Sequence, residues 1–403
     1  MFSPYSVCLM SEKHVRLASV SFDAYPNHKG AATHIHHVAQ ALTELGALDL
    51  VTLPGTHGLD LPPIVGVRHT EIPARGRHLI ERVRWFRESL GHWFGQQGLY
   101  EVIHFRSIFE GYPIAKRRKA LTRKIVFEVN GLPSVELKYH YPKVAEDEPL
   151  IAKLRAQEHV CLSEADLVIT PSQVTADYLT HDRGVPASKI RVVPNGADTQ
   201  VFAPPPCDQG SGLDRYRTHF LYAGTVAPWQ GVDTILMAIK RLRVDFDVRL
   251  TIAGPLHKRF NKSLKAFIHR QGLGEVVDLV GPVSKKELVV LHHQSDAVLS
   301  PLKRNDRNCS QGCCPLKIIE GMACGCLIIA SDLPVVRILM KNEQHGLLVL
   351  PDEVKAWVEA MKRVASKDPT LKAMRHRAHQ HVVQNWTWQH ASVRLQHAYQ
   401  AIL

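Results

Sequence analysis

The sequence predicts two α/β domains of Rossmann type, each a parallel sheet flanked by helices, and three observations predict them. Short apolar runs that read as strands alternate with helical patterns and end in glycine or proline loops, which is βαβ repetition. A chain of 403 residues exceeds a single core and fits two domains of ordinary size. Ala203–Gly212, APPPCDQGSG, is the clearest linker in the chain, with three consecutive prolines. The expected domains are therefore residues 1–203 and 213–385, with an amphipathic helix over 386–403 to finish.

Taken in order, Val15–Ser21 reads as the first strand, followed by the turn-prone Tyr25–Gly30 and a helix over Thr33–Leu45. No Gly-x-Gly-x-x-Gly follows this strand and no P-loop occurs anywhere, which argues against nicotinamide or flavin binding and against P-loop chemistry. Arg75–Phe94 is an amphipathic pattern with Leu79, Val83, Phe86, Leu90 and Trp93 on one stripe and five arginines around it. A second basic cluster runs from Lys116 to Lys124, before a strand at Ile125–Val129. That strand ends in Asn130-Gly131-Leu132-Pro133, at the carboxyl end where open α/β sheets bind ligands. Further strands fit Ala165–Pro171, Ile190–Val193, Phe220–Ala223, Arg249–Ala253, Val277–Val280, Ala297–Ser300, Leu327–Ala330 and Gly346–Leu350, and Ser172 is placed to cap a helix.

The formal charge of +12 implies an acidic partner: nucleic acid, an anionic membrane or phosphates. No nucleic-acid recognition motif is visible and the basic residues are dispersed, so no nucleic acid is expected. The two basic, aromatic-containing stretches suggest peripheral contact with an anionic membrane; the alternative is that the stripe packs on a sheet and the arginines are solvated. No apolar run approaches the roughly 20 residues of a spanning helix. The first residues lack the basic start and apolar region of a signal peptide, so the cytoplasm is the expected compartment. Five of the eight cysteines, Cys309, Cys313, Cys314, Cys324 and Cys326, crowd together. Without a Cys-x-x-Cys pair the spacing does not suit zinc, and no metal is expected.

The chemistry is expected in Arg307–Asp332, which reads as loop, helix, tight turn and buried strand. Pro315 suits a first helical position, and Gly312 before it allows close backbone approach to a ligand. A helix start of this kind favours anions, Lys317 adds a charge suited to phosphate, and Glu320 one turn later is placed to accept hydrogen bonds from sugar hydroxyls. Gly325 ends the helix.

The Glu320-Gly321-Met322-Ala323-Cys324-Gly325 segment resembles the donor-binding signature of the family-four, group 1 retaining glycosyltransferases of the GT-B fold. Pro194-Asn195-Gly196-Ala197-Asp198 resembles that family's Pro-Asn-Gly-x-Asp segment, and Lys29–His34 its first glycine loop. The resemblance implies two Rossmann-like domains facing each other across a cleft, with the final helix crossing back onto the first. It implies Glu320 on the donor ribose, and Gly30 and His34 near the acceptor and donor phosphates. It also marks departures. Gly312 stands where the family has a first Glu, with amides of Gly312, Cys313 and Cys314 as substitutes. Asn130 stands near a usual His, leaving an amide contact to the sugar. Thr225 and Gln230, in the loop that opens at Gly224, stand where an Arg and a Lys hold the diphosphate, with Lys317, Arg304 and Arg307 as candidates to replace them.

The expected function is transfer of a sugar from a nucleotide diphosphate donor to a carbohydrate or lipid-linked acceptor, in polysaccharide or glycoconjugate synthesis, with no cofactor. Catalytic candidates are Lys317, Asn130 and His34. A nucleotide-sugar epimerase on the same architecture and a non-catalytic sugar-nucleotide-binding relative are the competing readings.

Overall fold

The computed structural model describes residues 15–56, 63–205, 217–256 and 258–403. The first sheet has seven strands: β1 Arg16–Tyr25, β2 Ala47–Pro54, β3 Val67–Glu71, β4 Tyr100–Phe105, β5 Thr122–Glu128, β6 Leu167–Thr170 and β7 Ile190–Val192. Its order is β3-β2-β1-β4-β5-β6-β7, and every pairing is parallel. The second has six: β8 Thr218–Ala223, β9 Val248–Ala253, β10 Val277–Gly281, β11 Ala297–Ser300, β12 Leu327–Ser331 and β13 Leu347–Val349, ordered β10-β9-β8-β11-β12-β13 and again parallel. Both faces of such sheets are covered by crossover helices, so central strands such as LVIT in β6 and LIIAS in β12 are buried at every residue.

Each sheet reverses its strand order once, between β1 and β4 and between β8 and β11. The carboxyl ends at those switch points are where α/β sheets leave a crevice. Residues from both sets of ends line one cleft of about 380 Å³.

The helix Trp388–Gln400 crosses back to the first sheet. Trp388, Ala391, Leu395, Ala398 and Tyr399 pack with Leu17, Leu48 and Val102 of that sheet and with Ile35, Ala39 and Leu42 of the helix Gly30–Thr43. Full burial of a side chain such as Leu395 contributes about 1.5–3 kcal/mol. The chain thus passes between the lobes at two places that touch: Ala197 N–H donates to Trp386 O at 2.8 Å and Trp388 N–H to Ala197 O at 3.2 Å. A Cβ on Gly196 would lie 2.2 Å from the Thr387 carbonyl carbon, so only glycine fits beside this crossing.

Several expectations shift. The helix expected over Arg75–Phe94 spans Leu79–Gly95, because Gly76 has φ +135° and His78 is extended. Its buried stripe is Val83, Phe86, Leu90 and Phe94, while Trp93 is only half-buried and Trp85 faces solvent. Arg87 is not a solvated arginine; it donates to Phe109 O at 2.7 Å and Ile108 O at 2.8 Å. Within Lys116–Lys124, Arg118 grips Asp166 at 2.7 Å and Arg123 meets Glu101 at 3.3 Å, which neutralises part of that cluster. The first helix begins at Gly30, three residues earlier than expected. Ser172 caps its helix, accepting from Thr175 N–H at 3.2 Å. Of the expected linker, residues 206–212 lie outside the described residues.

Candidate active site

The loop after β11 turns through Arg307–Gln311 and enters the helix Leu316–Ala323. Pro315 is the residue before the first helical one and is extended (φ −74°, ψ 106°), so the helix begins one residue later than the sequence suggested. Lys317 is buried in the first turn, and its Nζ donates to Gln230 Oε1 at 2.6 Å and lies 4.1 Å from the centre of the Tyr222 ring. Burial pushes its pKa down to about 7. Gly224 makes room for it: the φ there is +139°, and a Cβ would sit 3.2 Å from Lys317 Cε. The neighbouring Thr225 offers its carbonyl to the Tyr222 hydroxyl at 2.8 Å. Lys317 therefore delivers an ammonium beside Gln230, one of the positions where the family resemblance anticipates a cation.

Glu320 follows on the same helix face, and burial raises its carboxyl to about 7 against the opposing pull of Lys285. Lys285 is the first residue of the helix Lys285–His293, capped reciprocally by Ser284 and Glu287. Burial lowers its pKa, with Glu320 and Asp198 opposing. Lys285 was not among the sequence candidates, although Ser284-x-x-Glu287 is a legible capping box.

The facing wall comes from the first lobe and is organised around Glu128, the last residue of β5 and 2 % exposed. Its oxygens accept from His104 Nε2 at 3.0 Å, from Arg106 Nε at 3.2 Å and from the Asn130 amide. His34 Nε2 lies 2.7 Å from Oε1, close but out of line for a hydrogen bond. Burial opposes the charge of Glu128, yet His34 and Arg106 hold it well below the usual carboxylate range. His34 reaches back through Nδ1 to Asn195 Oδ1 at 2.6 Å, and Asn195 Nδ2 donates to Cys314 O at 2.7 Å. One amide in the crossover thus ties the first helix to the loop ahead of Lys317. Glu128, Arg106 and Asn195 were missed as site residues, though a lone Glu closing an apolar strand is a signal in itself.

Of the sequence candidates, Gly30, His34, Asn130, Gly224, Thr225, Gln230, Arg307, Cys313, Cys314, Pro315, Lys317 and Glu320 line the cleft together. Two do not. Arg304 is exposed, and its backbone N–H is bound to Asp352 at 3.0 Å. Gly312 faces the helix Gln173–His181: a Cβ there would meet Thr175 Oγ1 at 2.8 Å and Ser172 Oγ at 3.0 Å, and its φ is +85°. Close packing between the lobes, not approach to a ligand, is what this glycine permits, and a Glu cannot occupy the position without moving backbone. Arg307 is held by Glu136 at 2.9 Å and stacks 5.0 Å from the Trp229 ring. All five clustered cysteines are free thiols, and among the described residues no group of three or more metal-binding side chains is gathered.

Two facing parallel sheets, a cleft at their carboxyl ends and a final helix crossing back define the GT-B class of glycosyltransferases. The Glycosyltransferase Family 4 model matches residues 28–201, and the model for glycosyl transferases group 1 matches residues 208–381. This chain belongs to the group 1 glycosyltransferases. Among curated proteins it is similar to the D-inositol 3-phosphate glycosyltransferase of Pseudarthrobacter chlorophenolicus, 24 % identical over 389 residues that cover 89 % of this chain and 87 % of that protein. The protein of the same name from Rhodococcus jostii is 25 % identical over 348 residues, 84 % and 73 % of the two chains. Among solved structures, sucrose-phosphate synthase from Thermosynechococcus elongatus superposes with a TM-score of 0.78 at 18 % identity, covering 96 % of this chain and 99 % of that one. HepE of Anabaena in complex with UDP and glucose gives 0.74 at 15 %, covering 96 % and 100 %. At these identities the likeness to solved structures concerns the fold. No helix among the described residues is long and apolar enough to cross a membrane.

Proposed function

We propose that the second lobe, beyond a boundary near 203–212, binds a nucleotide diphosphate sugar, and that the enzyme transfers the sugar with retention to a carbohydrate or lipid-linked hydroxyl held by the first lobe. The observation that carries this reading is Lys317, an ammonium buried in the cleft at a helix start with no carboxylate paired to it among the described residues. A diphosphate supplies the missing charge. As the bond from sugar to phosphate breaks, negative charge grows on the leaving group, and Lys317 with the amides at the start of Leu316–Ala323 meets it where it develops. Glu320 accepts from the ribose hydroxyls, Gly224 and Thr225 pass close to the phosphates, Gln230 steadies Lys317, and Arg307 adds positive potential. His34 and Asn130 present the acceptor side to the anomeric carbon, with Gly30, Cys313, Cys314 and Pro315 shaping the floor between. No metal or other cofactor enters this scheme, because helix end and lysine together serve the leaving group. A neighbour solved with UDP and glucose favours a nucleotide donor of this kind, and two relatives named as glycosyltransferases favour sugar transfer.

A panel of nucleoside diphosphates and their sugars tests the reading, since a tight ligand raises the melting temperature by mass action. One base is expected to stand out, in the diphosphate and the sugar alike. No shift with any member would refute the donor assignment. Peripheral membrane contact is the second part of the proposal, favoured by Ile80, 71 % exposed, and by Trp85 with Arg75 stacked 5.1 Å from its ring on the outside of the first lobe. Anionic vesicles should bind the protein at low salt and neutral vesicles should not, and equal binding to both counts against it.

A further inference from the structure

The cations on the two walls of the cleft differ in how they are held. Lys317 rests against a neutral amide and a ring. Arg106, the guanidinium facing the cleft from the first lobe, is closed from two sides: Nε donates to Glu128 at 3.2 Å and Nη1 to Asp23 Oδ2 at 2.9 Å. His34 is held against the same Glu128. His28, which also lines the cleft from the first lobe, is spent on the Val283 carbonyl across it at 2.9 Å. Glu128 also accepts from His104 and lies against His34, so Arg106 shares that carboxylate, and Asp23 is the second carboxylate on the guanidinium. Asp23 is also the accessible member of the set, with 49 % of its side chain exposed, and Ser21 Oγ steadies it at 3.2 Å.

Such a wall does not suit a phosphate. An anion entering it meets a guanidinium whose charge is already balanced, and a half-exposed carboxylate that repels it. Hydroxyl groups suit it, because a neutral group that both donates and accepts can meet Arg106 and the Asn130 amide, both of which line the cleft, without adding charge to a balanced set. We infer that the acceptor group entering the first lobe is an uncharged polyhydroxyl ring, a sugar or cyclitol without phosphate, and that Asp23 sets this choice by balancing Arg106. The inference rests on the proposed reading of the cleft as a transferase site and adds the class of acceptor. It also separates this chain from relatives whose names specify an inositol phosphate.

The test compares the parent protein with Asp23→Asn, which keeps the size of the side chain and removes its charge. Binding of myo-inositol and of D-inositol 3-phosphate is measured by calorimetry and by melting temperature, with and without UDP. The parent should bind the phosphate ester no better than the free cyclitol. Asp23→Asn should gain about tenfold or more for the ester alone, worth about 1.4 kcal/mol, and high salt should abolish the gain. A parent that prefers the ester by tenfold overturns the inference, and so does a variant that gains nothing. UDP is a separate arm: its failure to bind speaks against the donor assignment, while the comparison of the two proteins without UDP still decides the acceptor class.

Discussion

The walls of the cleft carry similar charged groups in opposite states. On the first lobe, Arg106 lies between the carboxylates of Glu128 and Asp23, with His34 against Glu128, a set closed before anything binds. On the second lobe, Lys317 and Glu320 are buried with weak or distant partners, and their pKa values both move to about 7. A closed set holds shape, and an open one holds binding energy in reserve. The roles proposed above, fixing a neutral partner and stabilising a departing anion, would use one wall of each kind.

The largest effect should come from breaking the closed set. Glu128→Gln keeps the shape but puts an amide in place of the buried one of the two carboxylates on Arg106, which should cost about 3 kcal/mol of stability in a denaturant titration, while nucleotide affinity stays at the parent value. A loss of nucleotide binding in a folded variant would show that the walls are not independent. Lys317→Met should lower turnover on the order of a hundredfold, with a smaller change in donor affinity, because the contact strengthens as the diphosphate leaves. Parent turnover in this variant would move the role to Arg307. Glu320→Gln should act the other way round, weakening donor binding about tenfold, a loss typical of a hydrogen bond to a charged group, with turnover at saturating donor nearly kept.

The smallest effect is in pH. A group of pKa about 7 in the free protein that gains an anionic partner has a higher pKa in the complex, so its contribution to binding is full below pH 7 and is lost as pH rises above it. Nucleotide-sugar affinity should therefore weaken several-fold between about pH 7 and 9. The sugar nucleotide is the right probe, since its diphosphate has no proton to lose in that range. Lys317→Met should flatten this limb. Glu320 titrates in the same region but is the better acceptor when ionised, so it weakens binding on the acid side, and Glu320→Gln should flatten that limb instead.

The sequence made most of the open wall legible, Lys285 apart, and the closed one only in part: the family resemblance pointed to His34 and Asn130, while Glu128 and Arg106 went unread. The second lobe's site lies on one continuous stretch, so Lys317, Glu320 and their helix start can be read from spacing and turn chemistry alone. Glu128, Arg106, His34 and Asn195 come from four separate elements, and only the order of the strands in the sheet brings them together. Gly312 shows a further limit: glycine there signalled close approach correctly, but the approaching partner is Ser172 and Thr175 of the opposite lobe, not a ligand. Arg304 was a candidate by proximity in sequence, and it is turned away because its backbone is tied to Asp352.

The crossing helix Trp388–Gln400 also bears on how the chain reaches this structure. It covers one face of the first sheet, yet it follows β7 by nearly two hundred residues. Ribosomes add about 5–20 residues per second, so the first lobe waits on the order of 10–40 s for the element that completes its core. During that time Leu17, Leu48, Val102 and their neighbours present an apolar surface open to other nascent chains. A version that stops before Trp388 leaves that face uncovered for good and should aggregate even though all of its cleft residues are present.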